Sequence, residues 1–223
     1  MMTRLFDVLF SALAILILIP FMIPVMIILK LTGEHYIFYR QLRVGKGGKD
    51  FEILKFATML KDSPNMQGGV LTRKGDPRIL PFGKFLRKTK INELPQFWNI
   101  LVGEMSFVGP RPQARPHYEL YSPEVRARLD QALPGLTGIG SIVFRDEENL
   151  LTRIPGDWDR SHDTLIAPYK GQLEMWYSEN KSILNYFLLM FLTLWVVINP
   201  SSSTYRSLFK DLPRPPKELE GLL

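Results

Sequence analysis

Hydrophobic positions gather into two long runs, one at each end of the chain, around a mixed middle punctuated by glycine and proline. Residues Leu5 to Leu29 read LFDVLFSALAILILIPFMIPVMIIL, and Asp7 is the one charge among them. The stretch is longer than the roughly 20 residues a helix needs to cross a bilayer. It is too long, and too poor in small residues at its end, for a cleaved signal peptide. Pro20 and Pro24 fall inside it. Each removes a backbone donor and crowds the preceding turn, so the pattern predicts a break or a strong kink. Arg4 and Lys30 flank the run. Cations at both ends suit a re-entrant helix-break-helix whose ends share one membrane face, with a kinked span as the alternative. Arg4 and Asp7 are three apart, a spacing that lets them pair on one helical face. The second run, Ile183 to Ile198, is short for a span and reads as a surface-embedded or core-packed helix. Trp176, Tyr177, Tyr186 and Trp195 suit an interface there, and Asn199-Pro200 ends it.

Between the runs, short β-rich stretches flank Gly45-Lys46-Gly47-Gly48, the signature of a hairpin turn. Gly68-Gly69 and Gly75-Asp76-Pro77 mark further breaks. Ile79 to Ile91, with Arg78 just before it, carries apolar Ile79, Leu80, Phe82, Phe85 and Leu86 with five cations, Arg78, Lys84, Arg87, Lys88 and Lys90, and no acid. This predicts a basic amphipathic segment, for a membrane surface, a diphosphate or nucleic acid. The long apolar run favours the membrane. Asn92-Glu93-Leu94-Pro95 then opens a helix that Asn92 can cap and Pro95 can enter. Phe107 to Pro112 closes the block in a Gly109-Pro110-Arg111-Pro112 corner that aims Arg111. Further on, residues 123–133 read as a short surface helix, Pro134 to Gly138 as a stiff loop, and Ser201 to Leu223 as a proline-rich, charged tail.

Charge and composition narrow the chemistry. Lys and Arg number 28 against 22 acids, a formal charge of +6. The excess suits anionic lipid, phosphate substrates or nucleic acid. Without cysteine there is no disulfide and no thiolate chemistry. His35, His117 and His162 are too scattered for a histidine metal cluster. Two acidic groups, Asp146-Glu147-Glu148 beside Arg145 and Asp157-x-Asp159 beside Arg160, suit either solvent or a metal.

The ordered motifs resemble the bacterial sugar transferases, the monotopic phosphoglycosyl transferases. The match runs through Arg4-x-Phe-Asp7, the proline-broken apolar run and Phe38-x-Arg-Gln-x-Arg-x-Gly45. It continues in Lys55-Phe56-x-Thr-Met59, Gly75-Asp-Pro-Arg78 and the block Leu86 to Pro112, and ends in Pro134-Gly-Leu-Thr-Gly138 and Trp176-Tyr177-x-x-Asn180. The resemblance implies a compact α/β monotopic membrane protein with an N-terminal re-entrant helix-break-helix broken at Pro20 and Pro24, and amphipathic interfacial helices. It implies an anchor at residues 1–32, a catalytic domain at 33–200 and an extension at 201–223.

The activity implied is transfer of a sugar-1-phosphate from a UDP-sugar to polyprenyl (undecaprenyl) phosphate, releasing UMP, with Mg2+. The implied place is the cytoplasmic face of the bacterial inner membrane, among membrane lipids, without nucleic acid and with a homo-oligomer left open. In the family pattern an Asp attacks the β-phosphate and the next Glu holds the metal. Those positions are Asn92 and Glu93 here. Asn92 is a neutral amide and a poor nucleophile, so the attack falls to Glu93, to another carboxylate, or to none in a scaffold that only binds nucleotide sugar. Lys55, Arg78, Arg87 and Arg111 are the candidate phosphate contacts. A second departure is Ala57, where the family often carries arginine.

Overall fold

The structure, a computed structural model, describes residues 2–66, 75–154, 156–199 and 202–223. Expected features at Gly68-Gly69 and Pro200 lie outside those residues. The chain divides into two compact units that interleave in sequence, one of residues 4–42 and 51–103, the other of residues 1–3, 43–50 and 104–223.

The first unit is built on α1 (Met2–Leu31), the hairpin β1 (Phe38–Val44) and β2 (Asp50–Phe56), α2 (Pro81–Lys88) and α3 (Gln96–Val102). The expected break at Pro20 and Pro24 is not seen as two helices: α1 is one 30-residue helix with both prolines inside it. Prolines four apart put both missing donors and both ring clashes on the same face, so the hydrogen-bond ladder can carry the helix past them. Almost none of its most apolar stretch is covered by protein. The exception is the C-terminal half. There Met22, Val25, Met26 and Leu29 pack on Phe56, Leu86, Phe82 and Ile91. That packing holds α1 against the rest of the unit toward its C-terminal end, while nearer its start Asp7 and Ser11 are also buried.

The hairpin forms as expected, its tip turning at Lys46–Gly48. Helix α2 begins with Pro81, whose missing N–H costs nothing at that position, and ends with Arg87 and Lys88, cations that favour the negative helix end. Leu86 is fully buried and Phe82 partly so, while Phe85 is exposed. The apolar stripe is therefore split between core and surface over only two turns. Gly83 is dictated by a neighbour: a Cβ there would lie 2.1 Å from the Thr58 carbonyl oxygen. This lets α2 lie on the strand-like segment that bridges Met59 to Ile79.

The second unit holds β3 (Ser106–Val108), α4 (Arg115–Glu119), α5 (Pro123–Leu129), β4 (Gly135–Thr137), α6 (Ile139–Val143), α7 (Glu147–Arg153) and α8 (Trp158–Ser161). These are followed by a π-turn at His162–Ile166, α9 (Ala167–Glu179), α10 (Ile183–Ile198) and α11 (Thr204–Leu208). The expected stiff loop at Pro134 to Gly138 is a strand. β4 runs parallel to β3, Ser106 opposite Gly135 and Val108 opposite Thr137. The expectation of an α/β fold gives way to a mostly helical fold, with two separate two-stranded sheets among the described residues. Gly45 ends β1, Gly109 ends β3, and Pro134 and Gly138 bound β4.

Helix α5 forms where a short surface helix is expected, with Ser122 as its cap accepting from the Val125 amide. The apolar α10 is packed on one side and bare on the other. Tyr186, Leu189, Leu192 and Val196 are buried, and Leu184, Phe191, Leu194 and Ile198 are exposed. It lies against β3, β4 and α6, tied at one point by the Thr137 and Thr193 hydroxyls, 2.6 Å apart. The tail folds back on α9. Phe209 stands edge-on to Trp176, the Trp176 indole donates to Asp211 at 2.8 Å, and the Tyr169 hydroxyl donates to the Pro213 carbonyl at 2.8 Å.

Gly83→Ala should destabilise the protein by about 3 kcal/mol, because neither backbone at that contact can give way. Gly47→Ala, with φ +73° and nothing within 4 Å of its new Cβ, should cost only about 1 kcal/mol of left-handed strain. Thermal melts of the two variants in the same detergent check the difference.

Candidate active site

The basic segment and the Asn92-Glu93 pair are joined by a sharp turn. After α2 the chain passes Lys90 at φ +60°, a left-handed conformation that costs a non-glycine residue about 1 kcal/mol or more. It then makes a 3-10 turn at Ile91–Glu93 and enters α3. Asn92 does not cap that helix, contrary to expectation; Pro95 occupies the N-cap. The amides an Asn92 cap would need are already taken. Glu93 N–H donates to the Lys90 carbonyl, Leu94 to Ile91, Phe97 to Leu94 and Trp98 to Pro95. The Asn92 side chain is turned inward, 6% exposed, and its Oδ1 is buried without a hydrogen-bond partner. Glu93, next to it, is partly exposed.

Two contacts hold α3, and hence this turn, in place. Asn99 reads the edge of β2 as another strand would, accepting from the Leu54 amide at 2.9 Å and donating to the Glu52 carbonyl at 2.8 Å. Arg4 donates to the carbonyls of Ile100 at 2.5 Å and Leu101 at 2.8 Å. A guanidinium there satisfies carbonyls at the end of α3 and opposes its dipole. Neither role was legible in the sequence, where Asn99 sits within an apolar run and Arg4 reads as a membrane-flanking cation.

The candidate phosphate contacts separate into distinct settings. Arg78 is 2% exposed and forked on Asp76, with Nη2 2.6 Å from one carboxylate oxygen and Nε 2.9 Å from the other. Its Nη1 donates to the Ser63 carbonyl at 3.0 Å. The carboxylate bond holds the guanidinium even more firmly protonated than usual. The structure thus buries Arg78 in the Gly75 to Ile79 turn, paired with Asp76. Arg87 is partly exposed on the last turn of α2, with Nη1 3.9 Å from the Met59 sulfur. Lys55 on β2 is partly exposed and donates to Gln41 at 3.3 Å. Arg111 belongs to the second unit, where it is exposed. Ala57, the second departure, is 1% exposed, and the core there has no room for a long cation.

In the second unit the Gly109 to Pro112 corner is set by a backbone crossing. A Cβ on Gly135 would lie 2.1 Å from the Gly109 nitrogen, and one on Gly138 would lie 2.3 Å from the Gly109 carbonyl oxygen. The Gly109 amide donates to Thr137 at 2.9 Å, and Gly135 donates to Pro110 at 2.8 Å. Of the acidic residues noted in the sequence, Asp146, Asp157 and Asp159 are exposed and Glu147 is tied to neighbouring cations. Glu147 meets Lys170 at 2.6 Å and lies 3.6 Å from His162. Lys170 and His162 hold its carboxyl below the usual range against the opposing effect of burial, which is the larger of the separate influences. Asp146 accepts from Asn149 at 2.7 Å, and Asp157 caps α8 through the Arg160 amide at 2.8 Å. Among the described residues no group of three or more His, Cys, Asp or Glu side chains is placed to hold a metal ion.

Residues 1–200 match the bacterial sugar transferase family. The chain belongs to that family, and its α1 is long and apolar enough to cross a membrane. Among its relatives, an uncharacterized sugar transferase of Haemophilus influenzae is 33% identical over 210 residues, covering 88% of this chain and 41% of the relative. An exopolysaccharide production protein, ExoY, of Sinorhizobium fredii is 38% identical over 168 residues, covering 69% of this chain and 74% of the relative. A UDP-N-acetylgalactosamine-undecaprenyl-phosphate N-acetylgalactosaminephosphotransferase of Aeromonas hydrophila is 36% identical over 139 residues, 61% of this chain and 33% of the relative. The matched region therefore makes up well under two thirds of the length of some of these proteins.

Arg78→Met should cost about 3–5 kcal/mol of stability, because Asp76 would be left buried without its cation. A melting temperature equal to that of the parent, together with a raised KM for nucleotide sugar, would return Arg78 to the ligand-facing set.

Proposed function

We propose that this protein transfers a sugar-1-phosphate from a UDP-sugar to polyprenyl phosphate, releasing UMP, at the start of surface-polysaccharide or glycoconjugate assembly. The observation that carries the reading is the partly exposed Glu93 carboxylate, seated in the turn that directly follows the basic α2. The names of the relatives support the substrate class. They carry N-acetylgalactosamine, galactose and glucose, and several share a UDP-sugar or an undecaprenyl or lipid carrier. The common recognition problem is then a diphosphate and a lipid phosphate, with the sugar variable.

In this reading a Glu93 carboxylate oxygen attacks the β-phosphorus of the UDP-sugar. A new phosphorus–oxygen bond forms, the bond to the bridging oxygen breaks, and UMP leaves with the electron pair. An oxygen of polyprenyl phosphate then attacks the same phosphorus and expels the Glu93 carboxylate, giving polyprenyl diphosphate sugar. Arg87 and Lys55 offset charge on the phosphoryl oxygens, and Arg111 is a further phosphate contact of this reading. Asn92 orients substrate through its inward amide.

The donor set suits Mg2+, a hard cation that takes oxygen ligands and keeps several waters. The Glu93 carboxylate would hold it, with the unpartnered Asn92 Oδ1 as a second, neutral oxygen. Bound there, it would neutralise charge gathering on the phosphates. The N-terminal segment, in this proposal, enters and leaves one leaflet on the cytoplasmic face. The cations near the two ends of α1 support this. The basic end of α2 and the bare face of α10 supply interfacial contacts.

Intact-mass measurement after exposure to a panel of UDP-sugars tests the chemistry. A single phosphosugar adduct should map to Glu93, and Glu93→Gln should abolish both adduct and UMP release. An adduct on any other residue refutes the assignment of the nucleophile. Asn92→Asp should change turnover by less than about tenfold, since the attacking group is already present. A far larger gain would instead mark the parent site as disabled. No UMP from any UDP-sugar with polyprenyl phosphate and Mg2+ would favour a nucleotide-sugar-binding scaffold.

A further inference from the structure

One carboxyl group in the second unit has no part in the proposed chemistry, yet it is buried where a neutral side chain would cost less. Glu174 on α9 is 3% exposed. Its Oε1 accepts from the Arg111 amide at 3.5 Å, and its Oε2 is buried with no hydrogen-bond partner. Room for it is left by Gly140, where a Cβ would lie 2.5 Å from Oε1. The contact is singular for a covalent reason. Pro110 and Pro112 have no N–H, so Arg111 supplies the one backbone donor of the three-residue corner. The corner is thus pinned on one side by the crossing strand, through the Pro110 carbonyl, and on the other by Glu174.

We propose that Glu174 is a positioning residue. Its carboxyl group fixes the Pro110-Arg111-Pro112 backbone and so aims the Arg111 guanidinium at the diphosphate of the nucleotide sugar, an inference that rests on the transferase reading.

The surroundings make this contact sensitive to pH. Burial drives the Glu174 carboxyl up to about 7, opposed by the Arg111 amide and by the charges of Lys170, Arg111 and Lys181. Tyr121, which follows α4, faces both Glu174 and Glu147 and has its hydroxyl pushed up, by burial first and then by those carboxylates. An ionised carboxylate accepts from an amide more strongly than the acid does. The hold on Arg111 therefore tightens as pH rises through 7 and slackens below it.

The test uses the full chain in nanodiscs, with amide exchange at Arg111 and steady-state kinetics read together. Glu174→Ala should speed Arg111 exchange about tenfold, and Glu174→Gln, which keeps an acceptor of the same size, less than about threefold. At pH 8, Glu174→Ala should raise the KM for UDP-sugar about tenfold, with kcat changed less than about threefold. The double variant with Arg111→Ala should be no worse than Arg111→Ala alone. With polyprenyl phosphate saturating, the parent KM should rise about threefold or more from pH 8 to pH 6, and that of Glu174→Gln should stay level. Unchanged exchange in Glu174→Ala, additive losses in the double variant, or parallel pH profiles would each overturn the proposal. Absence of UMP release by the parent would defeat the transferase reading, and exchange would still decide the corner contact.

Discussion

Backbone meeting backbone with no side chain between them is the constraint on which both units rest. In one, Gly83 lets α2 lie against the Thr58 carbonyl. In the other, Gly109, Gly135 and Gly138 let two chain segments cross while still exchanging hydrogen bonds. Contacts of this kind tolerate almost no slack, because neither partner has a rotamer to change. They fix the start of the basic helix and the corner that carries Arg111. Arg87 and Arg111, two of the proposed phosphate contacts, are thereby mounted on segments held by such contacts.

Charge is distributed by a related economy. The chain carries a net positive charge, but some of its cations serve as internal ties. Arg4 closes the end of α3, Arg78 is forked on Asp76, and Lys170 meets Glu147. A buried pair of this sort contributes little net stability, since desolvation offsets most of the attraction. It does make the local geometry unforgiving, because either partner left alone is an uncompensated charge. Toward solvent, Arg87 at the end of α2 is partly exposed and Arg111 at its corner is exposed.

Periodicity and punctuation made part of this legible. The long apolar helix, the hairpin, α5 and α10 all follow from hydrophobic runs bounded by turn residues. Pro20 and Pro24 misled because a proline reports a lost donor and a clash, not whether the remaining ladder survives them. Asn92 misled as a cap because the preceding left-handed Lys90 had already committed the local amides to a 3-10 turn. The β4 strand was hidden because a three-residue parallel pairing leaves no alternation to detect. Asp76 read as part of a generic break and Arg78 as a phosphate contact, since burial of a charge depends on what the rest of the chain brings to it. For the candidate site, the motif order located the Asn92-Glu93 turn and the Arg111 corner. It could not tell a cation facing ligand from one forked on a carboxylate.

The interleaving of the units bears on the order in which the chain can fold. The arms of the hairpin belong mostly to one unit and its tip to the other. Asp50 meets Arg115 across 65 residues of sequence, and the Val44 and Gly47 amides find acceptors only at Gln113 and Asp130. Closing loops of that length costs conformational entropy before any contact repays it. The hairpin arms have their partners within residues 51–103, so they can consolidate while the tip still waits. The tip is therefore a late docker, and pulsed hydrogen exchange should find Val44 and Gly47 protected after the amides of β2.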